Sequence, residues 1–457
     1  MKSSDAAGEY GRREMKIQLS DHFNYKKLLR FTLPSIVMMI FTSIYGVVDG
    51  FFISNFAGKT EFAAVNFIMP VIMIVGGLGF MIGTGGSAIV ARTLGEGRRE
   101  KANEYFSMMI YVTVVLGLVV AVLGEILLRP VTYALGAEGD MAEYCILYGR
   151  ISFLSIMQFM LQNVFQSFFV TAQKPQLGLA VIIAAGVTNM VLDYLFVGVF
   201  QWSVAGAAAA TAISETIGAA IPLTYFAFKN SSLLRLTKCR IQGKILLKAC
   251  TNGSSELMTN ISTSLVNMLY NLQLMRIAGE NGVAAYGVIM YVNFIFIAVF
   301  IGYSIGSAPI VGYHYGAGHH DELKNLLRRS LRIVGLFGIS MLILAETCAG
   351  PLTQFFVGYD AELQAMTNHG FRLYCLAFLV NGFNIYGSAF FTALNNGAVS
   401  AAISFLRTLL FQIAALFLLP LFLGLNGIWL SIFTAEILAL CVTITFFIKM
   451  RDKYHYA

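Results

Sequence analysis

Apolar stretches of about 20 residues, long enough to cross roughly 30 Å of hydrocarbon as a helix, can be placed twelve times. They fall near 31–57, 62–90, 105–128, 142–171, 177–200, 204–228, 250–277, 283–311, 332–349, 366–394, 399–423 and 426–448. The polar segments between them are short. The one sizeable linker runs from Lys229 to Lys248 and carries six Lys and Arg with no acid. The pattern predicts an all-α membrane protein with 12 transmembrane helices. Its divisions are an N-terminal segment (1–27), a six-helix lobe (28–228), a basic linker (229–249), a second six-helix lobe (250–449) and a tail (450–457).

Charge tests the count. With both termini inside, 25 of the 31 Lys and Arg lie in inner segments, seven of them before the first span (Lys2, Arg12, Arg13, Lys16, Lys26, Lys27, Arg30). The outer side keeps only Lys59, Arg129 and Arg276. Cytoplasmic loops collect Lys and Arg in this way, so an even span number and cytoplasmic termini follow. The expected location is the inner (plasma) membrane. The linker is read as a solvated connector, with attraction to anionic lipid as its functional alternative.

The two halves repeat. AGKTEFAAVNFIMPV from Ala57 resembles AGENGVAAYGVIMYV from Ala278, an offset of 221. The same shift aligns TGGSAIVARTLGEGRR from Thr84 with IGSAPIVGYHYGAGHH from Ile305, Pro130 with Pro351, and Gly206 with Gly427. A constant offset signals duplication. Because six spans is an even number, both halves enter from one side, and a pseudo-two-fold axis along the membrane normal is expected, with a cavity between the lobes.

Composition narrows the function. The chain is 57% hydrophobic and 12% charged, against about 25% charged in soluble domains. Its net charge of +7 is explained by the inner loops, so no nucleic-acid partner is expected. Six scattered cysteines form no CxxC pair, and His314, His319 and His320 lack a further ligand nearby. No nucleophile–base arrangement is visible. An enzyme, a cofactor and a metal site are all not expected. The glycine run from Gly76 to Gly86 lies inside a span, where it suits close helix packing rather than phosphate binding.

Acids at membrane depth default to function because they are costly there. Asp49 lies 18 residues into the first span and Asp193 lies 16 into the fifth. Both spans run outward, so the two carboxylates reach a similar level. Asn189 shares a helix face with Asp193 at i, i+4. The trio makes a candidate cation or proton site, the alternative being a polar cluster tying two helices. Glu256, with Asn260, Asn267 and Asn271 further along the seventh span, suits a second cation site, a substrate contact or an interfacial glutamate. Glu215 and Glu436 are related by the repeat, which favours helix packing. Glu125 and Glu346 read as interfacial, and Arg150 and Arg372 as snorkelling outward rather than paired.

Pro34 with Asp49 fifteen residues later, LGEGRREKA after the second span, NMVLD from Asn189 and GAAAAT from Gly206 together resemble the multidrug and toxic compound extrusion (MATE) family. The NxxLD form resembles its bacterial branch of staphylococcal-type multidrug exporters and DNA-damage-inducible relatives. The resemblance covers the chain from about Lys27 to Lys449 and implies an antiporter. Protons or sodium ions would enter while organic, mostly cationic drugs leave. It further implies cation coupling at Asp49, Asn189 and Asp193, with Thr211 as a neighbour and Pro34 as the bend in the first span. A sodium-coupled branch adds a glutamate in the seventh span, matched by Glu256, and an aspartate in the tenth that this chain lacks; Thr211 and Asn267 complete the candidates for a substrate or second cation site. A monomer surrounded by lipid is expected. The rival reading is a lipid-linked oligosaccharide flippase of the wider superfamily, which should present a basic cavity.

Overall fold

The computed structural model describes residues 17–456, so Lys2, Arg12, Arg13 and Lys16 lie outside it. In the first lobe α1 spans Tyr25–Phe52 and continues as a π turn over Ile53–Ala57. Then come α2 (Lys59–Gly95), α3 (Arg99–Ala134) and α4 (Gly139–Thr171). Next is α5 (Pro175–Asp193), extended by a π turn over Tyr194–Val199, and then α6 (Ser203–Ala227).

The second lobe opens with a helical run of 74 residues, Gly243–Gly316. Straight, it would be roughly 110 Å long, several times a bilayer. Gly279 breaks it, with φ 62° and ψ −154°, into α7 (243–278) and α8 (280–316). Gly58, which begins α2 at φ 121°, stands 221 residues earlier, so the duplication has kept this turn. After the break come α9 (His320–Val357) and α10, whose halves Ala361–Cys375 and Phe378–Ala393 meet at 47°. The lobe ends with α11, starting at Gly397–Phe405 and passing through a π turn at Leu406–Leu410, and α12 (Leu425–Tyr454). Ten described helical runs are long and apolar enough to cross a membrane. The bent pair adds one and the Gly279 break another, giving the expected twelve.

Each lobe holds two apolar clusters stacked along its length. In the first lobe Phe106, Phe165, Phe168 and Phe226 form the cluster at the end carrying the basic loops. Ile53, Tyr148, Phe153 and Val197 belong to the cluster at the far end. The lobes meet closely at the basic end, where a Cβ on Gly95 would collide with the Tyr313 carbonyl and one on Gly316 with the Arg92 carbonyl. These two contacts exchange under the 221-residue shift, as a pseudo-two-fold axis requires. Only glycine lets the backbones approach so closely.

Both end segments pack against the helices, and one expectation needs correction. In the N-terminal segment Leu19 and Phe23 are fully buried in the second lobe's core. The Phe23 amide donates to Glu322 Oε1 at 2.9 Å, and His22 Nδ1 lies 2.6 Å from Glu322 Oε2. The C-terminal segment also folds back, with Tyr456 buried and its hydroxyl donating to the Phe447 carbonyl at 2.9 Å. Arg150 and Arg372 pair with acids instead of snorkelling: Arg150 Nε is 3.9 Å from Glu125 Oε2, and Arg372 NH1 is 3.2 Å from Glu346 Oε2. Neighbouring helices bring these partners together, which spacing along one helix cannot show.

Replacing Gly279 with alanine puts a side chain in a backbone region that excludes it, at a cost of about 1–3 kcal/mol. The unfolding temperature of the purified protein in detergent should fall accordingly. Gly287→Ala is the control. It sits inside α8 with no atom within 4 Å of a new Cβ, and should leave stability unchanged or slightly raised.

Candidate functional site

Asp49 sits one turn before the π turn of α1, and Asp193 is the last residue before the π turn of α5. Such turns widen a helix locally and gather at functional sites. Here they close the two helices just beyond their acids. Asp49, Asn189 and Asp193 are all buried, Asp193 completely. The Asp49 and Asp193 carboxyl groups are neighbours in the first lobe. Among the described residues no N–H or O–H donates to Asp49 Oδ1 or to either Asp193 oxygen. Ionised carboxylates only accept, so two buried neighbours of this kind suit a shared proton or a bound cation.

Asn189 Nδ2 donates to Thr211 Oγ1 at 3.4 Å, and Asn189 Oδ1 has no donor among the described residues. A second layer surrounds the trio. Glu215, half-buried on α6, accepts from Ser155 Oγ at 2.7 Å and lies within coulombic range of Asp49. Tyr45 stands one turn before Asp49 on α1, and its ring packs against Gly186 of α5. Tyr148 of α4 is buried in the same lobe. Among the described residues none of Asp49, Asp193 and Glu215 is paired with a Lys or Arg.

The second lobe handles its acids differently. Glu436, the repeat partner of Glu215, is 2% exposed and receives Arg407 Nε at 2.7 Å. Asn384 Nδ2 donates to its other oxygen at 2.7 Å, and Asn384 Oδ1 accepts from Thr443 Oγ1 at 2.8 Å. The Asn381 amide, turned so that its nitrogen faces the carboxylate, adds a donor at 3.0 Å. Glu256 of α7 lies within coulombic range of Arg407. In the first lobe the place of Arg407 is held by Gly186, against which the rings of Phe41 and Tyr45 pack. Tyr270 stands where the repeat would put Asp49; its hydroxyl is 2.5 Å from Ser431 Oγ, and its ring stacks on Tyr286.

The structure thus brings Asp49, Asn189, Asp193 and Thr211 together in the first lobe. It leaves Glu256 and Asn267 in the second, about 16 Å apart along α7, with Asn267 accepting from the Tyr286 hydroxyl at 2.9 Å. Pro34 lies earlier in α1, which stays helical across it although its ring supplies no N–H. Glu215, read from the sequence as a packing residue, belongs to the first-lobe site. The missed signal was its i, i+4 spacing from Thr211, which puts both on one face of α6. His314 is buried, with its Nδ1 3.2 Å from that of His319. No group of three or more potential metal ligands converges among the described residues.

A model of the MatE family matches the chain twice, over residues 34–195 and 257–418, one match in each lobe. The chain is similar to the multidrug export protein MepA of Staphylococcus saprophyticus and to that of Staphylococcus aureus. It is 23% identical to each over 431 residues, which cover 94% of both chains. Among solved structures it is similar to an outward-facing multidrug resistance MATE family transporter of the MOP superfamily. The TM-score is 0.91 at 21% identity, over 97% of this chain and 99% of that one. A MATE protein in complex with MaL6 superposes with a TM-score of 0.90, also at 21% identity, over 95% and 98% of the two chains. At that identity the superpositions show the fold, and the doubled family match shows the membership. The chain belongs to the MatE family of membrane transporters.

Proposed function

We propose that the protein is a secondary active exporter that releases drug-like, mostly cationic organic compounds in exchange for protons. It would sit in the inner membrane with both termini in the cytoplasm. The observation that carries this reading is the pair of neighbouring buried acids Asp49 and Asp193, whose Asp49 Oδ1 and two Asp193 oxygens meet no donor, and which have no basic partner among the described residues. A proton between them satisfies both. Its loss leaves two charges that repel and that an organic cation could neutralise instead. Proton and cargo then compete for one negative site, and that competition is what exchange requires.

The competition needs a moving part. α1 carries Asp49 on a segment bounded by a π turn on one side and by Pro34 on the other. At Pro34 a backbone hydrogen bond is absent and bending is cheap. Protonation would then draw α1 toward α5 and close the first lobe on the cargo's place. The Gly95–Tyr313 and Gly316–Arg92 contacts hold the basic end shut, and rocking of the lobes would part them to admit cargo from the cytoplasm. The name of the staphylococcal relatives, multidrug export protein, supports the cargo class.

Sodium in place of the proton would find Asn189 Oδ1 and the carboxylate oxygens as its ligands, and imposing the two gradients separately distinguishes them. A flippase reading is disfavoured, because Arg150, Arg372 and Arg407, the arginines within spans, are each committed to an acid.

In proteoliposomes loaded with a fluorescent cationic dye, a proton gradient should drive export by the wild type. Asp49→Asn should lower that rate at least about tenfold, the effect of losing 1.4 kcal/mol or more of coupling. Wild-type rates in that variant would sink the proposal. Glu215→Gln should keep proton-driven export but raise the dye concentration needed for half-maximal rate, because Glu215 adds charge without joining the pair.

The second lobe gives a contrasting expectation. Arg407→Gln strands the buried Glu436 charge and should destabilise the protein by about 3–5 kcal/mol. Adding Glu436→Gln should recover most of that. The dependence of export on the proton gradient should be unchanged in the double variant, with thermal unfolding and dye export as the two readouts.

A further inference from the structure

The linker between the lobes is seated against the protein. Residues 229–242 form no helix and run along one face of α3. The Arg235 amide donates to Asn103 Oδ1 at 3.0 Å and the Thr237 amide to Ser107 Oγ at 2.8 Å, while the Tyr111 hydroxyl donates to the Thr237 carbonyl at 3.4 Å. Asn103, Ser107 and Tyr111 are successive turns of α3, so these ties span about 12 Å along its axis. Arg99 holds the start of the strap through the Ser232 and Leu233 carbonyls, and the Leu236 amide donates to the Phe226 carbonyl at 2.9 Å.

The strap has two unlike faces. Leu234 is fully buried, and Leu233, Leu236 and Cys239 pack against the first lobe's core. Arg235, Lys238 and Arg240 are exposed, and Lys244 and Lys248 follow on the first turns of α7. Among these cations Ile241 is 76% exposed and Leu247 66%. None of the six linker cations has an ion-pair partner among the described residues, and the segment contains no acid. Glu104 of α3 lies near Cys239 of the strap. A connector bathed only in water would have no use for bare isoleucine and leucine side chains between unpaired cations. A surface at the edge of a bilayer uses both, since the cations attract headgroups and the apolar side chains enter the layer beneath.

We propose that this strap is a binding site for the phosphodiester headgroups of anionic phospholipids. Arg235, Lys238, Arg240 and Lys244 meet the headgroups, and Ile241 and Leu247 lie among the upper acyl carbons. The site is independent of the transport reading, because it stands on the linker alone.

The test is thermal unfolding of the full chain in a neutral detergent, titrated with phosphatidylglycerol or phosphatidylcholine. Phosphatidylglycerol should raise the unfolding temperature more than phosphatidylcholine does, and this difference should shrink as salt is added. In the Lys238→Gln/Arg240→Gln/Lys244→Gln variant the difference should vanish, with the midpoint for phosphatidylglycerol weakened about fivefold per charge removed. Glycerol phosphate, a headgroup without chains, should not reproduce the shift. Equal responses to the two lipids in the wild type, a full response in the triple variant, or a full response to glycerol phosphate would each overturn the proposal. If the triple variant fails to fold, the salt series on the wild type and the single Lys238→Gln variant carry the same decision.

Discussion

Acids buried at membrane depth must have their charge offset, and much of this structure follows from how each lobe meets that need. In the second lobe the offset is permanent. Arg407 sits against Glu436, with Asn381 and Asn384 completing the carboxylate's hydrogen bonds. In the first lobe Gly186 replaces the arginine, aromatic rings pack against it, and Asp49, Asp193 and Glu215 have no Lys or Arg partner among the described residues. Glu436 is therefore offset within its own lobe, and Glu256 shares the same arginine. The fold supplies equal scaffolds, and the side chains set on them, Arg407 against Gly186 among them, make the two unequal.

What duplication preserved is chiefly backbone geometry. Gly58 and Gly279 make equivalent breaks, and Gly95 and Gly316 make equivalent close approaches across the axis. Glu125 with Arg150 and Glu346 with Arg372 form similar pairs at the far ends, the glutamates at equivalent positions and the arginines displaced by one residue. These features serve the shape of both lobes alike. At the acid site only Glu215 keeps its residue type, as Glu436: the 221-residue shift sets Asp49 against a tyrosine and Asp193 against an alanine at position 414. Shape is shared more fully than chemistry.

The division between what was legible in the sequence and what was not follows the same line. Twelve spans and two lobes could be read because bilayer thickness and loop charge impose long, regular patterns. Asp49, Asn189 and Asp193 could be singled out because polar groups are conspicuous in apolar windows. Glu215 and Glu436 looked alike, since the repeat aligns them. Their difference rests on Arg407 and Gly186, which lie on other helices, and only packing shows what those residues neighbour. The pairing of Arg150 and Arg372 was hidden for the same reason. The polar N-terminal segment gave no sign of its packing, yet Leu19 and Phe23 are buried in a distant core.

That last contact bears on how the chain assembles. Phe23 and His22 close on Glu322, some 300 residues later in the sequence. The first lobe can be made and inserted long before α9 exists, so its leading segment has to wait for a partner that is synthesised late. Seating it closes a loop of about 300 residues, and non-local closures of this kind come slowly. Residues 17–24 are thus among the last parts to reach their place, and a seated Phe23 marks a chain in which both lobes have already folded.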